Sequence, residues 1–291
     1  MNKETLKDNY TMQKIIGKGS FGIVYLAVDK NNNKYAAKVE RKGENSRLME
    51  EYKIYRKLYN KHVTKSIPKI HSFMQTSNFS IMVMDLLGPS LDAVFLKYNK
   101  KFTLPTVLKL GYEFVSVLES LHKAGFIHRD IKPNNFLLGK QDPDEVYLTD
   151  FGLSRSYMKN NEHIDFNTKK SLIGTLRYAS VNMHMGIEPS RRDDLESIGY
   201  MLIYFLKGSL PWQGLKSDED SDSKHMEKIG DMKLIIKLDK LCDGIPKQFK
   251  EYIKDCKETK FDEEPNYDKL KNYFLCAAKE NKVELKYQWC I

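Results

Sequence analysis

The sequence predicts an α+β fold in two parts, β-rich over residues 1–84 and mostly helical over residues 91–291. Alternating apolar and polar residues predict short strands in the first part, at residues 10–16, 23–28 and 35–39. Apolar residues at helical spacing dominate the second part, most clearly at residues 104–123 and 193–206. Between the parts, Gly88-Pro89 follows an apolar strand and marks a boundary at residues 85–90.

Composition excludes several classes of protein. The chain has 291 residues, of which 41% are hydrophobic and 30% charged, which is typical of a soluble globular protein. The first ten residues lack an apolar signal core, and the longest apolar run, Tyr200–Leu206, is too short to span a bilayer. We therefore expect an intracellular protein of the cytoplasm and/or nucleus. The net charge of +9 suits nucleic acid, membrane or acidic protein partners, and no nucleic-acid motif favours the first.

The cysteines give no sign of a metal or disulfide framework. All four lie in the last fifty residues, at positions Cys242, Cys256, Cys276 and Cys290. None forms a Cys-x-x-Cys pair, and no histidine is spaced to complete a zinc site. We expect free, buried thiols in a reducing compartment.

The two first strands flank a glycine-rich stretch, Gly17-Lys18-Gly19-Ser20-Phe21-Gly22. The same glycine spacing occurs in dinucleotide-binding turns, but there the third glycine opens a helix. Here Ile23-Val24-Tyr25-Leu26 follows and favours a strand. The pattern therefore favours a glycine-rich hairpin over nucleotide phosphates, with Phe21 at its tip.

A lysine and two glutamates follow the hairpin. Lys38 lies among apolar neighbours on the predicted third strand. Residues 46–58 have helical spacing and carry Glu50 and Glu51; Glu51 precedes Ile54 and Tyr55 on the face turned to the sheet, so it is the preferred partner of Lys38, with Glu50 as the fallback. Two further strands are predicted at residues 69–76 and 79–84.

The stretch from His128 to Gly152 carries the strongest chemical signal. It opens with His-Arg-Asp-Ile-Lys-Pro-Asn-Asn and closes with Thr-Asp-Phe-Gly. Phosphoryl transfer needs a group that accepts the hydroxyl proton, oxygen ligands for magnesium and a cation that neutralises charge. The residues that could serve are Asp130 for the first, Asn135 and Asp150 for the second, and Lys132 for the third. The order and spacing resemble the catalytic and magnesium loops of protein kinases.

This resemblance implies a bilobal protein kinase fold that uses ATP and Mg²⁺, with one kinase domain over residues 1–291. In kinases, the lysine that matches Lys38 grips the α- and β-phosphates while a glutamate holds it. Met84 matches the residue beside the adenine pocket, and the carbonyl of Asp85 and the N–H of Leu87 would bond adenine. The positions implied to bind nucleotide are Ile16, Gly17, Gly19, Ser20, Phe21, Gly22, Val24, Ala36, Lys38, Met84, Asp85, Leu87 and Leu138.

Three stretches resemble one kinase family, the casein kinase 1 family, more than they resemble its nearest relatives, the tau-tubulin and vaccinia-related kinases. Ser180-Val181-Asn182 stands where most kinases have Ala-Pro-Glu, and Leu87–Leu91 and Ser190–Tyr200 also match. Asp194 in the last stretch would tie the catalytic loop to a buried helix. The resemblance implies a monomeric Ser/Thr kinase that needs no activation-loop phosphorylation. It also implies protein substrates that are acidic or phosphorylated three residues before the target, and an anion site at Arg177, Lys170 and Lys224.

One stretch departs from this family. Residues 217–223 read Ser-Asp-Glu-Asp-Ser-Asp-Ser, where animal members are basic. The run favours an ordinary solvated acidic loop, but four acids near the anion site would weaken the field of that site and the preference for phosphorylated substrates. Asp218 and Asp220 precede Ser221 and Ser223 by three residues, which predicts that the enzyme phosphorylates these serines on neighbouring molecules. The sequence stops at Ile291, so no inhibition by a long tail is expected.

Two other functions remain open at this point. A pseudokinase scaffold would bind phosphorylated partners without chemistry; such proteins usually lack the lysine, the catalytic Asp or the magnesium Asp, and this chain has all three. A small-molecule kinase on the same fold is less favoured, because the activation segment and Asp194 match kinases that act on polypeptides.

Overall fold

The structure is a computed structural model that describes residues 10–19, 22–43, 46–215 and 222–289. The described chain divides into two compact units. The first comprises the residues up to Pro89 together with Leu137–Gly152, and the second comprises Ser90–Phe136 and the residues from Leu153 onward. The predicted division at residues 84 and 91 stays a prediction.

Most strands of the described chain belong to the first unit. The strands are β1 (Thr11–Gly19), β2 (Gly22–Val28), β3 (Lys34–Arg41), β4 (Ile70–Gln75), β5 (Phe79–Asp85), β6 (Phe126–Ile127), β7 (Phe136–Leu138), β8 (Val146–Leu148), β9 (Arg155–Ser156), β10 (Met158–Lys159) and β11 (Glu162–His163). The helices are α1 (Leu48–Asn60), α2 (Leu91–Lys97), α3 (Leu104–Lys123), α4 (Val181–His184), α5 (Arg191–Lys207), α6 (Asp222–Ile235), α7 (Leu238–Leu241), α8 (Lys247–Glu258) and α9 (Tyr267–Glu280).

The first unit is built on an antiparallel sheet in the order β1-β2-β3-β5-β4. Its central strands bury Ala27, Ala37 and Val83 completely, because alternate residues of a strand point to the same face. Helix α1 packs on this sheet with one buried face made by Leu48, Glu51, Ile54, Tyr55 and Leu58. Their spacing of three and four residues is that of an α-helical stripe.

The second unit is held together by helix α5, which is buried along almost its whole length. At its start the Asp193 carboxylate accepts from the backbone N–H of Ser190 at 2.8 Å, and Gly208 ends it in the left-handed conformation with φ 81°. Helix α3 packs against α5 and α9, and α8 packs against α5 and α9 as well. The sequence prediction of an α+β fold with a β-rich part and a helical part is confirmed.

Within the described ranges, no helix is both long and apolar enough to cross a bilayer. The thiols of Cys242 and Cys256 are buried and free, and that of Cys276 is free and partly exposed. Cys290 lies outside the described residues.

Candidate active site

Strand β3 places the Lys38 amine between two carboxylates of the first unit. Lys38 Nζ lies 2.7 Å from Glu51 Oε2 and 2.8 Å from Asp150 Oδ1. Glu51 is 1% exposed, so its carboxylate is almost completely shielded from water. Burial alone would lower the pKa of Lys38, but the charges of Glu51 and Asp150 raise it above its ordinary value. Lys38 is therefore a cation held in a fixed position.

The structure distinguishes between the two glutamates of α1. Burial raises the pKa of Glu51, and the adjacent Lys38 opposes that effect. Glu50 instead forms an exposed ion pair with Lys53 at 2.6 Å. The structure thus brings Glu51, and not Glu50, to Lys38.

Glu40, two residues after Lys38 on β3, holds the start of α1. Its carboxylate accepts hydrogen bonds from the backbone N–H groups of Arg47 (2.9 Å) and Leu48 (2.7 Å) and from the Ser46 hydroxyl (2.7 Å). The first N–H groups of a helix have no partner within the helix, and a negative charge there is favourable. Strand β3 thus fixes α1 at two points. Sequence reasoning missed Glu40, because the acceptor and its donors lie on different elements.

The glycine-rich strands lie in register with Lys38. Gly17 pairs with Val24 across β1 and β2, and Val24 pairs with Lys38 across β2 and β3. Gly22 has φ +133°, and a Cβ there would lie 2.3 Å from the carbonyl oxygen of Val39. Only glycine fits this approach of two strands. Ser20 and Phe21 lie outside the described residues.

The predicted adenine-pocket residues lie at the end of the sheet. Ala36 pairs with Met84 across β3 and β5, and β5 ends at Asp85. The Asp85 carboxylate accepts from the backbone N–H of Lys69 and contacts the His71 ring at 2.7 Å. Leu138 N–H donates to the Pro89 carbonyl, at 3.0 Å. The nucleotide-binding roles of these residues, and those of Ile16 and Leu87, stay predictions.

In the second unit, Asp130 is contacted by the other predicted site residues of the catalytic loop, residues 128–135. The residue is 4% exposed, and its Oδ2 lies 2.6 Å from Lys132 Nζ. Asn135 Nδ2 donates to the Asp130 carbonyl oxygen at 2.8 Å, which orients the Asn135 amide. The three residues that the sequence assigned to catalysis and metal binding in this loop therefore form one cluster.

Thr175 is a further contact of Asp130 that sequence reasoning missed. Its hydroxyl donates to Asp130 Oδ1 at 2.8 Å. Gly174, just before it, has φ +82°, and a Cβ there would lie 2.5 Å from the Arg129 carbonyl oxygen. Gly174 and Thr175 belong to the stretch before Ser180 that corresponds to the activation segment of kinases, and this stretch therefore lies directly on the catalytic loop. The sequence signal that could have revealed this contact was the Gly174-Thr175 pair, because glycine permits a close approach of the main chain.

Asp194 on α5 holds the backbone of the catalytic loop, as the resemblance implied. Its carboxylate accepts from the N–H groups of His128 (2.7 Å) and Arg129 (2.8 Å) and from His122 Nε2 (3.1 Å). Burial alone would raise the pKa of Asp194, but these hydrogen bonds keep it below its ordinary value. Arg129 has φ 68°, an unfavourable conformation for this residue, which these bonds help to maintain.

The three residues predicted to bind an anion have different surroundings. The Arg177 guanidinium lies over the rings of Tyr204 and Tyr178, at 5.4 and 5.7 Å. Lys170 Nζ lies 2.9 Å from the buried carboxylate of Glu188, which Arg155 also contacts at 2.8 Å. Lys224 is exposed near the start of α6. The anion site of these three cations stays a prediction. Ser217–Asp222, at the acidic stretch, lie outside the residues whose side chains the structure describes.

The donor chemistry fits a magnesium nucleotide. Mg²⁺ prefers oxygen ligands and is usually held by one or two protein groups in addition to phosphates and water. Asp150 offers a carboxylate and Asn135 an amide oxygen. Among the residues that the structure describes, no group of three or more His, Cys, Asp or Glu residues is arranged to hold a metal ion.

A paired lysine on the sheet of the first unit and, in the second unit, a loop that clusters Asp130, Lys132 and Asn135 are each typical of nucleotide-dependent phosphotransferases. A family model described as the protein kinase domain matches residues 10–273. The chain therefore belongs to the protein kinase family.

Proposed function

We propose that the chain is an active protein Ser/Thr kinase of casein kinase 1 type, which transfers the γ-phosphate of ATP to acidic or phosphoprimed protein substrates. The observation that carries this proposal is the double ion pair of Lys38 with Glu51 and Asp150, at 2.7 and 2.8 Å. Active kinases need this lysine held by its glutamate. An unpaired lysine in this position would be free to point away from the phosphates.

The proposed roles follow from the chemistry of each group. Asp130 accepts the proton of the attacking hydroxyl, and the contacts from Lys132 and Thr175 orient its two carboxylate oxygens. Lys132 also steadies negative charge on the transferred phosphoryl group. Lys38 holds the α- and β-phosphates.

Asp150 and Asn135 are the residues that would hold magnesium. When bound, Mg²⁺ neutralises charge on the phosphate oxygens and so favours attack by the hydroxyl. The Asn135 amide is kept in orientation by its bond to the Asp130 carbonyl. Asp150 is kept in place by Lys38, and it has φ 65°, a conformation that a specific site can maintain.

The casein kinase 1 type rests on motifs that the fold joins. Ser180 Oγ donates to Asp193 Oδ1 at 2.6 Å, and Asn182 Nδ2 donates to the same oxygen at 3.2 Å. The backbone N–H of Val181 donates to Glu196. The Ser-Val-Asn motif is thus tied to the Ser190–Tyr200 stretch, and both are stretches in which the chain resembles that family.

The preference for acidic or phosphorylated substrates rests on the cations near the activation segment. The Arg177 guanidinium packs on the rings of Tyr178 and Tyr204. The Trp212 indole donates a hydrogen bond to the Arg177 carbonyl at 2.8 Å. Lys170 reaches a phosphate only if it shares or leaves its bond to Glu188. We therefore expect Arg177 to contribute more to substrate affinity than Lys170.

Asp130→Asn tests the proposal. The variant removes the proton acceptor and keeps the size of the side chain, so it should bind ATP like the parent and lose nearly all phosphate transfer. ATP affinity is measured by titration and transfer by turnover. Turnover within about tenfold of the parent, a barrier change of roughly 1.4 kcal/mol, would show that Asp130 is not the catalytic base. A pseudokinase scaffold would give no transfer in the parent itself, and no observation favours it.

A further inference from the structure

The lysine at position 233, on α6, is fully buried: 0% of Lys233 is exposed to water. Burial of an amine costs free energy unless hydrogen bonds replace those to water. Lys233 belongs to no part of the site described above, and the position of its partners indicates what it does.

All three close partners of the Lys233 amine lie in or next to the activation segment. Nζ lies 2.7 Å from the Leu176 carbonyl oxygen, 2.6 Å from that of Ala179 and 3.1 Å from His184 Nε2. A protonated lysine has three N–H donors, so these three acceptors use all of them. A neutral amine still has two donors, enough for both carbonyls.

Two aromatic rings complete the surroundings of the amine. Nζ lies 5.2 Å from the centre of the Tyr200 ring and 5.1 Å from that of Trp212, within the range of cation–π attraction. Trp212 also donates its indole N–H to the Arg177 carbonyl. Lys233 and Trp212 together therefore bond three carbonyls within the four residues from Leu176 to Ala179.

Burial and neighbouring charges determine the pKa values of Lys233 and His184. Burial lowers the pKa of Lys233 to about 7; Glu196 on α5 opposes this effect, and Lys257 on α8 adds to it. Burial, and then the charge of Lys233, lower the pKa of His184 on α4 to about 4, so His184 is neutral near pH 7 and can accept a hydrogen bond.

The residues held in this way adjoin the chemistry. Thr175, whose hydroxyl contacts Asp130, comes directly before Leu176. Arg177, the proposed ligand of substrate phosphate, lies between the two carbonyls that Lys233 bonds. A shift of this main chain would move both residues.

We propose that Lys233 is a positioning residue for phosphoryl transfer to protein: its buried amine fixes the main chain of Leu176–Ala179 and thereby sets the positions of Thr175 and Arg177. The proposal rests on the proposed function, because it assigns Asp130 to catalysis and Arg177 to substrate binding. It assigns a role on the substrate side of the reaction to a residue of α6 that lies 54 positions from Ala179 in the sequence.

The test is a comparison of Lys233→Met with the parent and with Lys237→Met. Methionine keeps much of the apolar volume and removes the amine; Lys237 is exposed four residues further on and serves as the matched control. Because two buried carbonyls lose their donor, kcat/KM for a peptide substrate should fall at least about tenfold. The KM for ATP should stay within about twofold of the parent, and Lys237→Met should match the parent in both.

Two results would overturn the proposal. One is an unchanged kcat/KM for peptide in Lys233→Met. The other is an equal loss of peptide and ATP parameters that follows the folded fraction, since this would mean that Lys233 serves only the fold. Where Lys233→Met does not fold, Lys233→Gln decides by the same criteria, because its shorter amide replaces the amine and cannot bond all three acceptors.

Amide hydrogen exchange separates this proposal from the proposed function. The N–H groups of Tyr178 and Ala179 bond to the Thr175 carbonyl at 3.0 and 3.1 Å. Faster exchange over residues 175–180 in Lys233→Met, with parent-like exchange elsewhere, supports the hold on this segment even where the parent proves inactive. Unchanged exchange over these residues would contradict it, whatever the activity.

Discussion

Removal of the Glu40 carboxylate should loosen the helix that carries Glu51. In the structure this carboxylate accepts from the N–H groups of Arg47 and Leu48 and from the Ser46 hydroxyl, and α1 has no side-chain cap of its own from Arg47. Glu40→Gln keeps the shape of the side chain, but it removes the negative charge at the helix start and turns one acceptor oxygen into a donor.

The size of the effect follows from those contacts. Loss of a helix cap costs about 0.5–2 kcal/mol, and a hydrogen bond to a charged group contributes about 1.5–3 kcal/mol net of exchange with water. We take about 2 kcal/mol as the net cost at this partly accessible helix start. This cost raises the ratio of molecules with α1 displaced to molecules with α1 in place about thirtyfold. Turnover falls by less, because only the displaced fraction loses the Lys38–Glu51 pair.

Amide hydrogen exchange over residues 46–60 measures this ratio directly, and exchange in Glu40→Gln should be about thirtyfold faster than in the parent. Glu50→Gln is the matched control, since Glu50 lies in the same helix and its carboxylate forms an exposed ion pair with Lys53. Exchange within about threefold of the parent in Glu40→Gln, or equal acceleration in both variants, would refute the reasoning that Glu40 places α1.

Three further predictions concern substrate binding, modification and pH. Arg177→Ala should raise KM for a phosphoprimed peptide more than for an acidic one, because a phosphate carries about −1.5 to −2 charge, and Lys170→Ala should do so to a smaller extent; equal effects on both peptides would speak against an anion site. Incubation with Mg-ATP should add phosphates to the parent, seen by intact mass, that are absent in the Ser221→Ala, Ser223→Ala variant; an unmodified parent contradicts this sequence-based prediction. Since the pKa of Lys233 is about 7 in the folded protein and near 10.5 when unfolded, the unfolded chain binds more protons between these values. The free energy of unfolding of the parent should therefore rise relative to that of Lys233→Met between pH 7 and pH 9, and parallel curves from chemical denaturation would contradict the burial of this amine.

Long regular elements were predictable from the sequence. Helix α3 begins at Leu104 and ends at Lys123, as its periodicity and the following Gly125 indicated. Helix α5, Arg191–Lys207, likewise covers the apolar stretch predicted at residues 193–206. The seven-residue helix α2 was not predicted, because its main signal was a cap, the Ser90 hydroxyl that accepts from the Ala93 N–H.

The supporting residues of the site were harder to predict than the reactive ones. Asp130, Lys38 and Asp150 lie in motifs with fixed spacing, whereas Glu40 acts on main-chain groups that only the tertiary fold brings to it. Lys233 shows the strongest departure from sequence pattern. The neighbouring Leu234 and Ile235 are 55% and 73% exposed while Lys233 is buried, the reverse of what hydrophobicity predicts. Local pattern cannot reveal which polar residue the activation segment requires.

Transfer of labelled phosphate from ATP to a peptide array tests the central claim most directly. The array carries serine, threonine or tyrosine as the target, with a phosphorylated, acidic or neutral residue three positions before it. We predict label on serine and threonine peptides, strongest with the phosphorylated or acidic residue, and almost none with Asp130→Asn. Absence of label above that variant on every peptide would contradict an active protein kinase, and equal label on all targets would contradict the casein kinase 1 type.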